Sequence, residues 1–173
     1  LKSFQGREKE RYVLDNKNPE IVFTQGYSAT NTFYDQMSYF CICTFGGSED
    51  LISLYNRFEE QQIKDLRLDA FFEVIGDEQY KMSKVGEKVY DCFVIRSAEL
   101  YLNKAEAEAM LDKAEAIQTI KTLLHNRFEG GIPDVDGLSG KDLVSFIRDE
   151  RRRELCFEAH RWFDLRRYAV SPK

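Results

Sequence analysis

The C-terminal stretch at residues 149–168 constrains this chain more than any other segment, because charged and bulky apolar residues alternate along it. The apolar residues leading into and through it are separated by steps of 3, 4 or 8, which is typical of one face of an α-helix,. These residues are Leu143, Ile147, Leu155, Ala159 and Trp162. We predict a long final helix that begins after an N-cap at Ser139 and uses Trp162 as a core anchor.

Arg151 takes the missing position on this apolar line. A charge on or beside a buried face is tolerable only where carboxylates pair with it. The carboxylates nearest in sequence are Glu150, Glu154 and Glu158, so these are its predicted partners.

Glu154 and Glu158 share a helix face, as a pair of glycosidase carboxylates could,. However, the cations Arg151, Arg153 and Arg161 are expected within one turn of them. Such neighbours keep carboxylates ionised and leave no general acid. The pair is therefore predicted to form structural ion pairs, and no catalytic residue is assigned.

The same stretch resembles the C-terminal signature of the SusD/RagB family, which reads roughly Glu-Arg-x-x-Glu-Leu-x-Phe-Glu-Gly-x-Arg-x-x-Asp-Leu-x-Arg. The chain departs from it at Ala159, where the family usually has Gly; Ala is the better helix former, so a mild effect is expected,. The residues matched are Glu150, Arg151, Glu154, Leu155, Phe157, Glu158, Arg161, Asp164, Leu165 and Arg167. A structural role is expected for Glu150, Arg151, Glu154, Glu158, Arg161, Trp162 and Asp164.

A helical hairpin precedes this signature. Ala98, Leu102, Ala105 and Ala109 step by 4, 3 and 4, which places small residues on one face and lets a second helix approach closely,. That helix is predicted to start near Asp112 and to run antiparallel to the first,. The pair resembles a tetratricopeptide unit. Residues 96–107 also resemble the SusD/RagB family, and the motif at 65–67, Asp-x-Arg, matches it more weakly.

The predicted fold is mainly α: a tetratricopeptide-like helical hairpin and a long C-terminal helix, with a few short β-strands and long loops. Strands are expected at residues 20–24, 70–74 and 79–85, and a helix at 48–58,. Residues 1–173 are read as one domain fragment, with a mixed loop and strand part at 1–90 and a helical part at 91–173. Family members are several times longer, so the resemblance implies a C-terminal portion whose N-terminal part is absent.

An aromatic and polar stretch at residues 23–45 is the candidate ligand site. Aromatic rings pack on the apolar face of a sugar, while amides and carboxylates bond its hydroxyl groups. The predicted ligand-binding residues are Tyr27, Asn31, Tyr34, Asp35 and Tyr39. The alternative is an ordinary loop whose aromatic side chains are buried in the core.

The sequence gives little support to nucleic-acid binding or to a metal or cofactor site. A formal net charge of −5 argues against nucleic acid as the main partner,. Cys156 and His160 are spaced as two metal ligands on a helix, but no third ligand is visible, so neither a metal nor a cofactor is predicted,. Cys41 and Cys43 lack zinc-finger spacing, and whether they form a disulfide stays open,.

The family resemblance implies a function that composition alone does not. Members are surface lipoproteins of the Gram-negative outer membrane that bind glycans, or in some cases peptides, and cover a TonB-dependent (SusC-like) transporter without performing chemistry. We therefore expect glycan binding at the outer membrane, with the lipid anchor outside this chain. The alternatives are a peptide-binding member of the family and a helical-repeat interaction module with no small-molecule ligand.

Overall fold

The computed structural model describes residues 1–6, 9–15, 17–26, 46–76, 79–84 and 91–170. Its strands are β1 (Ile21–Gly26), β2 (Lys64–Asp65), β3 (Phe72–Ile75), β4 (Gln79–Met82), β5 (Asp91–Arg96) and β6 (Phe128–Glu129). Its α-helices are α1 (Glu49–Asn56), α2 (Leu66–Phe71), α3 (Ser97–Met110), α4 (Glu115–Leu124), α5 (Gly140–Glu154) and α6 (His160–Val170). The fold is mainly α, as predicted. Within the described ranges, no helix has the length and apolar character needed to cross a membrane.

The strands form three two-stranded antiparallel sheets, which pair β1 with β5, β2 with β6 and β3 with β4. The predicted strands at 20–24 and 79–85 are confirmed as β1 and β4, and the helix at 48–58 as α1. The strand predicted at 70–74 is partly wrong, since α2 continues to Phe71. The cause is Asp65, whose carboxylate accepts a hydrogen bond from the backbone N–H of Arg67 and caps this short helix,.

The helical hairpin is confirmed in α3 and α4. Ala98, Leu102, Ala105 and Ala109 are all buried, and they belong to the same apolar cluster as Ile120 and other residues of α4. The second helix begins at Glu115 and not near Asp112, because Asp112 has a left-handed φ of 52° and lies in the turn. Helix α5 packs on α3 and completes this core, which contains Leu143 and Ile147. A second apolar cluster joins α1, α2 and β3 to Cys156.

The single long C-terminal helix is wrong, because five residues separate α5 from α6: Leu155, Cys156, Phe157, Glu158 and Ala159. Phe157 and Ala159 have φ values of 61° and 63°, in the left-handed region that a regular helix excludes,. Ala159 stands where the family usually has Gly, so the departure matters through backbone conformation and not through helix propensity. A left-handed residue other than Gly costs roughly 1–2 kcal/mol.

The break changes what α6 buries. Trp162 is 67% exposed, so the expected core anchor is wrong. Phe163 and Leu165 are also exposed, and the buried residue of α6 is Asp164. The apolar line therefore stays buried only as far as Leu155, because the interruption at residues 155–159 ends the helical periodicity.

Candidate functional site

Glu154, the last residue of α5, lies at the centre of a buried ion network. It is 1% exposed and faces three arginines from three separate elements. Its Oε2 accepts from Arg67 Nη1 on α2 at 3.1 Å and from Arg127 Nε after α4 at 2.9 Å. Its Oε1 accepts from Arg96 Nη1 at the end of β5 at 2.9 Å. One carboxylate thus joins α2, β5 and the end of the hairpin.

Arg67 extends the network toward α1. Its guanidinium bonds both oxygens of Asp65, with Nε 2.8 Å from Oδ1 and Nη2 2.7 Å from Oδ2. It also donates to Glu150, which accepts as well from Arg153. Arg153 in turn donates from Nη1 to the backbone carbonyl of Leu54 on α1 at 3.0 Å. All four charged side chains are buried, so each charge is matched by direct hydrogen bonds,.

Lys84 and Glu158 hold the segment between α5 and α6. The Nζ of Lys84 donates to the backbone carbonyls of Glu154 at 2.7 Å and Cys156 at 3.0 Å, and also to the Glu158 carboxylate. These carbonyls lie at a helix C-terminus, where intrahelical partners are missing. Glu158 also accepts from Arg96, with Nη2 to Oε1 at 2.7 Å. Hydrogen bonds from Lys84 and Arg96 therefore hold the segment between α5 and α6 in place.

The network keeps its carboxylates ionised. Burial alone would raise the pKa of Glu154, but the charges of Arg127, Arg96 and Arg67 outweigh it and hold that pKa well below the ordinary range. Arg96 and Lys84 likewise lower the pKa of Glu158 against the effect of burial. The expected structural ion pairs are confirmed by this geometry. The predicted cations Arg151, Arg153 and Arg161 are wrong, because Glu154 and Glu158 pair only with cations from other elements in the described residues. These cations are Arg67, Lys84, Arg96 and Arg127. Arg161 is exposed and forms no ion pair with any residue that the structure describes.

Arg151 is buried as predicted, at 5% exposure, but its predicted partners are wrong. Its Nε lies 3.0 and 2.9 Å from the two carboxylate oxygens of Asp164, and its Nη1 donates to Asn103 Oδ1 at 2.7 Å. Glu150 and Glu154 are already occupied by cations from α2, β5 and α5 itself. Arg151 therefore links α5 to α6 and α3.

A cleft of about 300 Å³ opens beside the helix break. Neither it nor its lining was predicted, because its residues meet only where the helix is interrupted. It is lined by Gly46, Ser48, Leu51, Arg151, Arg152, Leu155, Cys156, Phe157, His160, Arg161 and Asp164.

His160 at the start of α6 has polar neighbours on both ring nitrogens. Its Nδ1 is 3.5 Å from Arg151 Nη2, and its Nε2 is 3.8 Å from Glu99 Oε2. Burial lowers the pKa of His160 below its usual 6.5, and the opposing charge of Glu99 does not restore it. The ring is therefore neutral near pH 7.

Cys156 and His160 do not lie on one helix, so the spacing that suggested a pair of metal ligands is wrong. Cys156 lies in the break and His160 lies on α6. The thiol of Cys156 is 3.3 Å from the Tyr55 hydroxyl, and burial raises its pKa. In the part of the chain that the structure describes, no three His, Cys, Asp or Glu side chains are grouped as metal ligands.

The predicted sugar-binding residues Tyr27, Asn31, Tyr34, Asp35 and Tyr39 lie outside the described residues. The same holds for Cys41 and Cys43. The described chain resumes at Gly46, which lines the cleft and forms a β-bridge with Lys81. The stretch therefore ends directly before a residue of the cleft.

A family model described as the SusD family matches residues 67–173. The chain belongs to the SusD family. The match contains all five network cations, Arg67, Lys84, Arg96, Arg127 and Arg153. Three residues of the C-terminal signature, Glu150, Glu154 and Glu158, are carboxylates of the buried ion network.

Relatives agree with this membership. The chain is similar to a SusD-like protein, P38, of Formosa agariphila, with 35% identity over 113 residues, 60% of this chain and 21% of the relative. A SusD-like carbohydrate-binding protein from Bacteroides vulgatus has a similar fold, with a TM-score of 0.60 and 23% identity over 88% of this chain and 35% of its own. A SusD-like protein from Bacteroides fragilis also gives 0.60, with 20% identity over 98% of this chain and 46% of its own. The chain therefore spans less than half the length of these SusD-family proteins.

Proposed function

We propose that this chain is part of a non-catalytic, surface-exposed protein that binds glycans and passes them to a TonB-dependent, SusC-like outer-membrane transporter. The observation that carries the proposal is the SusD-family match over residues 67–173. The fold shared with the SusD-like carbohydrate-binding protein of Bacteroides vulgatus supports a glycan as the ligand. The protein would be held at the outer membrane by a lipid anchor.

The chemistry of the buried network supports a binding role over a catalytic one. A glycosidase needs one carboxylic acid that keeps its proton near neutral pH. Here the neighbouring arginines lower the pKa of Glu154, and Glu158 is held ionised in the same way. The network therefore acts as a scaffold that fixes α2, β5, α5 and the hairpin relative to one another.

We place glycan contacts in the aromatic stretch at 23–45, with Tyr27, Tyr34 and Tyr39 as stacking residues and Asn31 and Asp35 as hydrogen-bonding residues,. Phe23 on β1, at the start of this stretch, is 56% exposed, which fits an aromatic surface available to a ligand.

The experiment is a binding screen of the full-length protein against neutral and acidic oligosaccharides and against peptides, followed by isothermal titration of each hit. A glycan bound without turnover, together with co-purification of a SusC-like transporter, is the expected result. Binding of peptides alone would favour a peptide-binding member of the family. Binding of neither class would contradict the proposed function and favour a protein-interaction module.

A further inference from the structure

The cleft beside the helix break is built around a strained backbone. Phe157 and Ala159 both hold left-handed φ values, and such strain persists only where surrounding contacts enforce it,. Those contacts are present, since Lys84 binds the carbonyl groups of Glu154 and Cys156 and Arg151 binds Asp164. The break thus fixes the start of α6 against the end of α5.

The charge in this cleft is unbalanced. Its lining includes three arginines, Arg151, Arg152 and Arg161, and one carboxylate, Asp164. Asp164 is taken up by Arg151. Neither Arg152 nor Arg161 forms a salt bridge or a side-chain hydrogen bond with any described residue. Two guanidinium groups with no partner among the described residues therefore line one concavity of a chain whose net charge is −5.

The remaining lining suits a small polar ligand beside an apolar wall. Ser48 also lines the cleft, and its side chain makes no N-cap hydrogen bond to α1. His160 is neutral near pH 7, which leaves the arginines as the cations of the site. Phe157, which is only partly buried, supplies apolar surface. The volume of about 300 Å³ lies at the lower end of the range for small-molecule sites,.

We propose that this cleft binds the anionic group of an acidic glycan, a carboxylate or a sulfate ester, through Arg152 and Arg161. Guanidinium groups bind both kinds of oxyanion with paired N–H donors. The inference rests on the proposed glycan-binding function and adds the charge class of the sugar. Gly46 lies in the lining and directly follows the aromatic stretch in the sequence.

The test compares three probes on the full-length protein by isothermal titration: an oligogalacturonate, a sulfated galactose oligosaccharide and a neutral galactose oligosaccharide of the same length. Stronger binding of one or both acidic probes is expected, and the comparison of the two separates carboxylate from sulfate recognition. In Arg152→Gln/Arg161→Gln, affinity for the acidic probe should fall by at least about tenfold, because both charge-assisted contacts are lost. Affinity for the neutral probe should not change.

Arg166→Gln is the matched control, because Arg166 is an exposed arginine of α6 that does not line the cleft. Its affinity should equal that of the wild type, and thermal melting should show all variants folded. Binding of the neutral probe alone, or acidic binding that the double variant leaves intact, would overturn this inference and leave the proposed function standing. Binding of no glycan would overturn both.

Discussion

Arg151 and Asp164 connect the two C-terminal helices across the break, with the guanidinium Nε 3.0 and 2.9 Å from the two carboxylate oxygens. Both side chains are buried, and Asp164 also accepts from Arg167 Nε at 2.9 Å. The position of α6 therefore depends on a charged contact more than on apolar packing, since Trp162, Phe163 and Leu165 are exposed.

Arg151→Ala should lower the free energy of unfolding by about 3 kcal/mol, because it leaves the buried Asp164 without its main partner,. Chemical denaturation measures this change, and Arg152→Ala on the same helix is the control, with an expected change within about 0.5 kcal/mol. A double-mutant cycle with Asp164→Ala should give a coupling energy above about 1 kcal/mol. A change under about 0.5 kcal/mol for Arg151→Ala would mean that Arg151 is solvated.

Ala159→Gly should stabilise the protein by about 0.5–1 kcal/mol, because glycine adopts a positive φ without the clash between Cβ and the carbonyl oxygen,. The increase in melting temperature measures the effect. Ala169→Gly in the last turn of α6 is the control, and it should destabilise slightly because glycine is a poor helix former there,. A destabilised Ala159→Gly variant would contradict a left-handed conformation at this position.

Stability should decrease in acid because of the buried carboxylates. The pKa values of Glu150, Glu154 and Glu158 in the folded state lie below the ordinary 4.5 of the unfolded chain. Their contribution is therefore fully present above pH 4.5 and is lost as the pH falls below it toward the folded-state values,. Melting temperatures measured between neutral and acidic pH should show this loss, with little effect of these groups above pH 4.5.

Glu154→Gln should remove much of the dependence of stability on pH. At neutral pH it should cost about 3–5 kcal/mol, because three buried arginines lose their shared anion, and the acid-induced loss should become shallower,. If this variant does not fold, Glu158→Gln offers the same comparison with fewer cations affected. An unchanged pH profile in a folded variant would show that these groups do not control acid stability.

Tyr34→Ala and Tyr39→Ala should each weaken glycan binding by the full-length protein without lowering its melting temperature, because the proposed site assigns both rings to the sugar and not to the core,. Titration with a glycan from the screen measures the effect. Tyr101→Ala on the exposed face of α3 is the control and should bind as the wild type does. Unchanged affinity in both tyrosine variants would exclude them from the ligand site.

The sequence predicted the parts of the fold that depend on local periodicity. The spacing of Ala98, Leu102, Ala105 and Ala109 identified the buried face of α3, and the C-terminal signature identified the family. The helix break escaped prediction because Leu155 and Ala159 are one helical turn apart, so the apolar period continues across it. The glycine usual in the family at position 159 was the available sign of a left-handed residue.

The partners of the charged signature could not be predicted from α5 alone. Sequence reasoning paired each charge with its helical neighbours, whereas Glu154 meets Arg67, Arg96 and Arg127 from elements distant in sequence. Tertiary contacts of this kind leave no periodic signal. The Asp65-x-Arg67 motif and the family-like stretch that begins at Arg96 were the upstream hints, and their role follows only from the contacts of Arg67 and Arg96 in the fold.

Arg67 and Lys84 make the C-terminal helices depend on a segment that lies upstream in the chain. Both lie before residue 91, yet their charges neutralise Glu150, Glu154 and Glu158 in the C-terminal helices. A fragment limited to residues 91–173 would contain those carboxylates without two of their cations. The C-terminal helices are therefore not a self-contained unit, and a fragment that begins at residue 65 should be more stable than one that begins at residue 91.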